Sequence, residues 1–234
     1  MPVQSMPEQR SGTGKGSPGR DTPFAARYPP PMCASYEARF SVTQLVEAFD
    51  SHGAPLVFPR GLPNIEPVDE VRPTDLAQAI RASADAAAEL VPMRFGFRGP
   101  ARPGGGKPPP VINFRSEGRA FGNGETSGRA LVPASGFYEF TGDKYPKTRW
   151  RLRGADGGFL ALAALWRAGR DGEPDAFALL TAEPGPDVAP YHTRGVLPLA
   201  PDLWADWLFD RRPAEDLLAP PPAGTLVAEA APRG

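Results

Sequence analysis

The sequence has very little of three features that many protein classes depend on. It contains one cysteine in 234 residues, which excludes a disulfide framework and any metal site made of cysteines alone. It contains two histidines, His52 and His192, which leave no multi-histidine metal centre. Its longest apolar runs, such as residues 159–166, are far too short to span a bilayer. We therefore expect no metal, no cofactor and no membrane segment.

An excess of charge of one sign is also missing. The chain has 26 basic and 27 acidic residues and a net charge of −1, which excludes binding to nucleic acid through overall charge but leaves room for a local basic groove. The length fits one large domain or two small ones.

Proline and glycine are abundant instead, with 31 and 26 residues, a composition that borders on disorder. Eleven of them lie in residues 1–31, which show no apolar periodicity and lack the apolar stretch of a secretory signal. We predict that this segment is disordered or is not translated. Residues 51–73 and 98–110 are predicted to be loops broken by proline and glycine.

The rest of the chain predicts an α+β domain. Ser41 and Gln44 form a capping-box pattern, and the apolar spacing after them predicts a helix over residues 42–50. Residues 74–90 remain ambiguous, since their alanines favour a helix while residues 93–97 alternate like a strand.

The second half of the sequence reads mostly as strands. Short helices are predicted at residues 203–208 and 213–218. Segments 150–153 and 159–166, with Asp156-Gly157 between them, are typical of a β-hairpin. The other predicted strands are residues 130–140, 176–181, 196–199 and 225–228.

Glu139 is a candidate for acid–base chemistry because it interrupts an apolar, aromatic stretch. In a strand it shares a face with Phe137, while Tyr138 and Phe140 share the other face. A carboxylate beside aromatic rings is costly to bury unless it is paired, and such groups often have tuned pKa values. The alternative is an exposed glutamate on an edge strand.

Two other stretches place ionisable residues in apolar sequence. Residues 111–117 contain Asn113 and Arg115, and residues 190–194 contain His192 and Arg194. The alternative interpretation is that His192 is a surface loop residue and that both arginines are ordinary surface charges.

Cys33 follows Met32 at the border between the proline-rich segment and the ordered domain. If translation starts at Met32, removal of that methionine leaves Cys33 with its thiol and a free α-amine, whose ordinary pKa values are about 8.5 and about 8. Such a terminus can capture an aldehyde as an imine and then close a thiazolidine ring, which an internal cysteine cannot do. The alternative is a small buried apolar residue.

Together these stretches resemble the SRAP family, the SOS response-associated peptidases, over about residues 32–230. The family pattern has Met-Cys at the translation start, matched by Met32-Cys33. Asn-x-Arg-x-Glu, Arg-x-Leu-x-Pro-Ala-x-Gly-Phe-Tyr-Glu-aromatic and His-x-Arg then follow, matched by residues 113–117, 129–140 and 192–194.

The resemblance implies a single α+β domain with a twisted, barrel-like, mostly antiparallel sheet and a few short helices. It favours strands over a helix in residues 74–97. It also implies a boundary after Met32, with residues 1–32 as a disordered or untranslated extension and residues 33–234 as the catalytic domain.

The implied activity is a covalent crosslink between the N-terminal cysteine and the aldehyde of an abasic site in single-stranded DNA, with a lyase-like reversal. The peptidase name comes from self-removal of residues that precede the cysteine. By matching positions, Cys33 is the nucleophile, Asn113 holds the cysteine end, and Glu139 and His192 transfer protons. Arg115, Arg194 and Phe95 are the implied DNA contacts, the last by base stacking. A cytoplasmic, nucleoid-associated monomer is expected.

The sequence departs from the family at three places. Ala34-Ser35 replaces the usual Gly-Arg, so a phosphate contact is missing. Phe95-Gly96 replaces Trp-Gly, and Gly195-Val196 replaces Met-Pro.

Three alternatives remain open. The first is an N-terminal-cysteine peptidase or amidase that acts on substrates other than DNA. The second is a β-rich binding module in which Cys33 is incidental. The third is a protein that reads a modified base rather than an abasic site.

Overall fold

The computed structural model describes residues 35–101, 104–106, 108–143 and 145–232. Cys33 and the predicted extension over residues 1–32 lie outside this part of the chain. Within it, no helix is long and apolar enough to cross a membrane. Nor do its His, Asp and Glu side chains gather in groups of three or more that could hold a metal ion.

The elements in these residues are mainly short strands. The helices are α1 (Val42–Ser51), α2 (Trp204–Leu208), which a 3-10 turn at Pro201–Leu203 precedes, and α3 (Ala214–Leu217). The strands are β1 (Tyr36–Ala38), β2 (Leu56–Val57), β3 (Val68–Val71), β4 (Leu76–Ala82), β5 (Ala88–Phe95), β6 (Asn113–Arg115), β7 (Ser127–Ala134), β8 (Gly136–Thr141), β9 (Thr148–Gly154), β10 (Leu160–Arg167), β11 (Ala176–Ala182), β12 (Gly195–Val196), β13 (Pro198–Leu199) and β14 (Leu226–Ala231).

Helix α1 begins where the sequence predicts. The Ser41 hydroxyl accepts from the Gln44 amide, and the Gln44 side chain accepts from the Ser41 amide. These bonds satisfy two amides that a helix start leaves unpaired. Phe49 stacks on Trp204 with ring centroids 4.5 Å apart, which packs α1 against α2.

The larger sheet closes on itself. Its pairings run from β7 to β4, β5, β11 and β10, and β10 pairs with β7 again. All but one of these contacts are antiparallel. The exception is β5 with β11, a parallel contact of two residue pairs, so the ring is twisted and barrel-like rather than a regular barrel. This confirms the predicted fold class.

A second sheet, in the order β14-β9-β8-β1-β3, packs beside the ring. The chain passes from the ring into this sheet at Ser135, whose amide donates to the Glu37 carbonyl at 2.7 Å. The single strand predicted over residues 130–140 is therefore two strands, β7 and β8, that belong to different sheets.

The predicted hairpin of residues 150–153 and 159–166 is wrong, although both strands exist. Strand β9 pairs with β8 and β14, whereas β10 pairs with β7, β11 and β13. The turn between them is a corner: the Ala155 amide donates to Thr225, and Asp156 accepts from the Gly158 amide. Local turn chemistry is as expected, but longer ladders elsewhere take up both strands.

Strand predictions elsewhere mostly agree with the structure. The ambiguous residues 74–90 contain β4 and the start of β5, as the family resemblance implies. The predicted loop 51–73 is wrong in part, because it holds β2 and β3. The predicted strands near residues 176, 196 and 225 correspond to β11, to β12 with β13, and to β14, and the short helices are α2 and α3.

Candidate functional site

Glu139 lies on the core-facing side of β8. Its exposed fraction is 2%, and it is paired across the sheet with Trp150, as Phe137 is with Leu152. Residues directly opposite each other on adjacent strands share a face, so the carboxylate lies among aromatic and aliphatic side chains. Strand β8 lies between β9 and β1, so the reading of Glu139 as an exposed edge residue is wrong.

Strand β1 begins beside this carboxylate. The Tyr138 amide donates to the Ser35 carbonyl at 3.2 Å, and Tyr36 is paired with Phe137. The Tyr36 ring meets Phe95 edge-on at 5.6 Å. The chain therefore enters the described domain one strand away from Glu139. Cys33, two residues before Ser35, lies outside the described residues.

The turn that carries His192 packs against the strand next to β8. Trp150, the cross-strand neighbour of Glu139, contacts Tyr191 with ring centroids 4.9 Å apart. The Trp150 indole also donates to the Thr141 hydroxyl at 2.8 Å, which fixes the ring. The contact between Trp150 and Tyr191 brings the His192 turn close to Glu139.

The His192 ring is held by the backbone of Arg194. Its Nδ1 lies 3.1 Å from both the amide nitrogen and the carbonyl oxygen of Arg194. With a hydrogen on Nδ1, the ring can donate to the Arg194 carbonyl in both its neutral and its protonated state. In that tautomer Nε2 is the ring nitrogen that gains or loses the proton.

Arg194 joins the third motif stretch to the first. Its Nη1 and Nη2 contact the two Glu117 carboxylate oxygens at 2.6 and 2.8 Å, and Nη2 also donates to the Thr181 carbonyl at 2.8 Å. The hydrogen bonds from Arg194 lower the pKa of Glu117 to about 2. The Arg194 side chain is only 14% exposed, so its guanidinium is not presented to solvent as an open phosphate contact.

Asn113 and Arg115 lie on β6, a short strand parallel to β11. They share one face of β6, and Phe114 between them is on the other. Asn113 is half-buried and Arg115 is exposed. The Arg115 side chain makes no hydrogen bond or ion pair with the rest of the described chain, so Arg115 is the expected DNA contact that the structure leaves open.

Phe95 is wholly buried, which corrects its expected role in base stacking. Its ring stacks on Phe177 at 5.1 Å and meets Tyr36 edge-on at 5.6 Å. Both ring faces belong to the core, so no face is available to a base. Gly96 after it has φ 101, and a Cβ there would lie 2.8 Å from Pro110.

The outer face of the second sheet carries a network that sequence reasoning missed. The Ser35 hydroxyl donates to Glu70 at 2.7 Å, Glu70 contacts Arg149 at 2.9 Å, and the Arg149 guanidinium lies 3.6 Å from the centre of the Tyr138 ring. These residues are far apart in sequence, and no local pattern marks them. They fix the start of β1 from the side opposite Glu139.

The chain is similar to known proteins both in sequence and in fold. A family model described as SOS response associated peptidase (SRAP) matches residues 32–231. The chain belongs to the SRAP family. No functionally curated protein matches the chain.

Two solved structures from Bordetella bronchiseptica are similar to this SRAP protein. One is a protein with 25% identity and a TM-score of 0.64, covering 86% of this chain and all of its own. The other, a phage-related protein, has 23% identity, a TM-score of 0.63 and coverage of 86% and 95%. A Bacteroides thetaiotaomicron protein has 13% identity, a TM-score of 0.52 and coverage of 69% and 77%. The last two similarities show a shared fold.

Family membership gives this SRAP protein a DNA-damage-associated function, since the family is named for the SOS response, and a peptidase-like fold. The structure brings together Glu139, the His192 turn and the start of β1. It ties the His192 turn to the β6 stretch through Glu117 and Arg194. It does not bring Phe95 to the surface.

Proposed function

We propose that this SRAP protein forms a covalent crosslink to abasic sites in single-stranded DNA through Cys33. The observation that carries the proposal is the burial of Glu139 on the core face of β8, beside the start of β1. Buried ionisable groups near the entry of a chain terminus are typical of acid–base sites, so the position of this carboxylate supports a chemical role.

The covalent chain allows Cys33 to reach this carboxylate. Each residue advances the chain by at most about 3.6 Å, so two residues before Ser35 span up to about 7 Å. Neighbouring strands are about 4.8 Å apart, and Tyr138 is the strand neighbour of Ser35. Two residues of chain before Ser35 are therefore long enough to bring Cys33 to Glu139 on the neighbouring strand.

The proposed reaction forms a thiazolidine in two steps. The Cys33 α-amine adds to C1′ of the ring-opened sugar, and loss of one water gives an imine. The thiolate then adds to the imine carbon, and the nitrogen takes up a proton. Glu139 accepts the amine proton, and His192 acts as a general acid that protonates the sugar ring oxygen as the ring opens.

The remaining residues have supporting roles. Asn113 holds the cysteine end, and Arg115 contacts a phosphate of the strand. Arg194 is a positioning residue, because its guanidinium is engaged by Glu117. The α-amine must be free, so any residues before Cys33 have to be absent or removed. We propose that the Cys33 thiol attacks the preceding peptide carbonyl, so that the C–N bond breaks and a thioester forms, and that water then hydrolyses the thioester and releases the preceding residues.

The deciding experiment combines protein that begins at Cys33 with a single-stranded oligonucleotide containing one abasic site. We expect a covalent product on a denaturing gel that Cys33→Ala abolishes. Glu139→Gln should slow its formation by roughly 10²-fold, the usual worth of a proton-transfer group.

Glu125→Gln is the matched control, since Glu125 is exposed and the substitution is the same. It should crosslink at the wild-type rate. A product that persists in Cys33→Ala overturns the assignment of the nucleophile. Hydrolysis of amide substrates without any DNA product would instead support the peptidase alternative.

A further inference from the structure

A groove of about 760 Å³ runs along the outside of the ring, where β5, β10 and β11 meet. One wall is the turn between β10 and β11, and the other is the segment after β5 that contains Phe97 and Gly99. In both walls a glycine allows two backbone segments to lie closer together than a side chain would permit. A Cβ on Gly99 would lie 2.2 Å from the Pro109 carbonyl, and one on Gly169 would lie 1.9 Å from the Glu173 carbonyl.

Four arginines line this groove, against two acidic residues, Asp171 and Glu173. The four are Arg94, Arg98, Arg167 and Arg170. Only Arg98 has an acidic partner within the described chain, Glu173 at 3.7 Å. The Nε of Arg94 is shielded from solvent and has no hydrogen-bond acceptor among the described residues. No acidic side chain among the described residues neutralises the Arg94 guanidinium, so it adds positive charge to the groove.

Arg167 is oriented by aromatic rings rather than by an acid. Its guanidinium carbon lies 4.6 Å from the centre of the Phe97 ring and 5.6 Å from that of Phe114. Stacking holds the plane of the guanidinium and leaves its N–H edge for an anion. Phe97 is only 3% exposed, so the groove offers charge and hydrogen-bond donors but no ring on which a base could stack.

The second sheet shows the opposite arrangement. Its outer face also carries several arginines, but acidic side chains engage them. Arg39 contacts Asp69, Arg72 contacts Glu70, and Arg151 contacts both Glu37 and Glu229. Among the described residues, acidic side chains thus engage the arginines of this face, whereas Arg94, Arg167 and Arg170 in the groove have no acidic partner.

The groove lies behind the strand that carries two of the candidate site residues. Phe97 meets Phe114 edge-on at 5.6 Å, and Phe114 lies between Asn113 and Arg115 but on the opposite face of β6. Within the described residues β6 pairs only with β11. A DNA strand bound at Arg115 would therefore have to cross the open edge of β6 to reach the groove.

We infer that this groove binds the phosphodiester backbone of single-stranded DNA without reading its sequence. That the ligand is single-stranded DNA rests on the proposed function. Guanidinium forks match phosphate oxygens, and the absence of an accessible ring excludes base stacking there.

The test uses undamaged single-stranded oligonucleotides, which carry no aldehyde and cannot crosslink. Binding is followed by fluorescence anisotropy for the full chain and for a triple variant, Arg98→Gln, Arg167→Gln and Arg170→Gln, which changes exposed side chains only. We expect affinity at 0.1 M salt to fall at least tenfold. The salt-dependence slope should fall by about 2, since each single-strand contact contributes roughly 0.7.

The matched control is Arg39→Gln, Arg72→Gln and Arg153→Gln, which removes the same charge from arginines that have acidic partners. We expect near wild-type binding and an unchanged slope. Equal losses in both triple variants, or no loss in the groove variant, would overturn the inference. So would a strong preference among sequences of equal length.

A second readout keeps this inference separate from the proposed chemistry. With abasic DNA at saturating concentration, the groove variant should crosslink at the wild-type rate but need more DNA to reach half of that rate. A protein that never crosslinks yet loses binding in the groove variant would refute the proposed function and support the groove.

Discussion

At the scale of single residues, the Glu117–Arg194 pair has a consequence for pH. Two guanidinium nitrogens contact the two carboxylate oxygens at 2.6 and 2.8 Å, and the residues are 77 positions apart. The pKa of Glu117 is lowered to about 2 from an ordinary value of 4.5. A carboxylate with a lowered folded-state pKa stabilises the fold above its unfolded pKa and loses that contribution as the pH falls.

We therefore expect Glu117→Gln to lower the melting temperature at pH 7 and to have little effect at pH 2. The difference should disappear between pH 4.5 and about 2. Because the carboxylate is 45% exposed, the effect at pH 7 should be about 1 kcal/mol or less. Thermal unfolding at a series of pH values measures it.

Exposed Glu125→Gln is the control and should not change this profile. A Glu117→Gln deficit that persists unchanged at pH 2 would show that the pair is not the cause.

At the scale of elements, packing of the 190–194 turn on β9 places His192. The contact between Trp150 and Tyr191 is the link, with ring centroids 4.9 Å apart. Trp150 is also the cross-strand partner of Glu139. Loss of this contact should therefore misalign His192 and slow crosslinking, but it should not change the affinity for DNA.

Tyr191→Ala should slow crosslinking about tenfold, because small losses of alignment between reacting groups cost rate steeply. Its affinity for undamaged single-stranded DNA should stay at the wild-type value. Single-turnover crosslinking and anisotropy together measure the two effects. Tyr145→Ala is the control, since Tyr145 is 88% exposed, and it should leave the rate unchanged. Parallel losses in rate and affinity for Tyr191→Ala would contradict a positioning role.

Elements whose hydrogen bonds are local could be predicted from the sequence, whereas partners distant along the chain could not. Helix α1 follows from Ser41, Gln44 and the apolar spacing after them. The corner at Asp156 also follows local turn chemistry, yet the hairpin built on it is wrong because β9 and β10 find longer ladders in different sheets. The alternation along β8 placed Glu139 and Phe137 on one face.

The parts of the site that depend on distant neighbours escaped sequence reasoning. Burial of Glu139 depends on β1 and β9 lying on either side of β8. The sequence suggests that Phe95 could stack on a base, but Tyr36 and Phe177, which are distant along the chain, cover its ring. Motif membership alone could not distinguish Arg115, which is open, from Arg194, which Glu117 engages.

At the scale of the whole molecule, Arg129 ties the ring to the C-terminal part of the chain. Its side chain is 2% exposed and donates to the carbonyls of Phe121 and Arg212, and it contacts Asp210 at 2.6 Å. The guanidinium also lies 4.7 Å from the centre of the Trp207 ring. Burial lowers its pKa below the ordinary value. This motif residue therefore holds the fold together rather than contacting DNA.

Arg129→Gln should reduce the free energy of unfolding by about 3 kcal/mol, since removal of one partner leaves buried polar groups unsatisfied. Urea unfolding followed by circular dichroism measures the change. Arg211→Gln, at an exposed arginine nearby, should cost less than about 0.5 kcal/mol. A stable Arg129→Gln protein that had lost only its DNA binding would refute the structural role.

The passage from β7 to β8 at Ser135 makes the site sensitive to a kind of change that composition does not reveal. Strand side chains alternate, so one residue inserted between Ala134 and Gly136 would shift the register of β8 by one. Glu139 would then face the Arg149 network, and Tyr138 would point into the core. At this corner only an insertion of an even number of residues would therefore keep Glu139 on the core-facing side of β8.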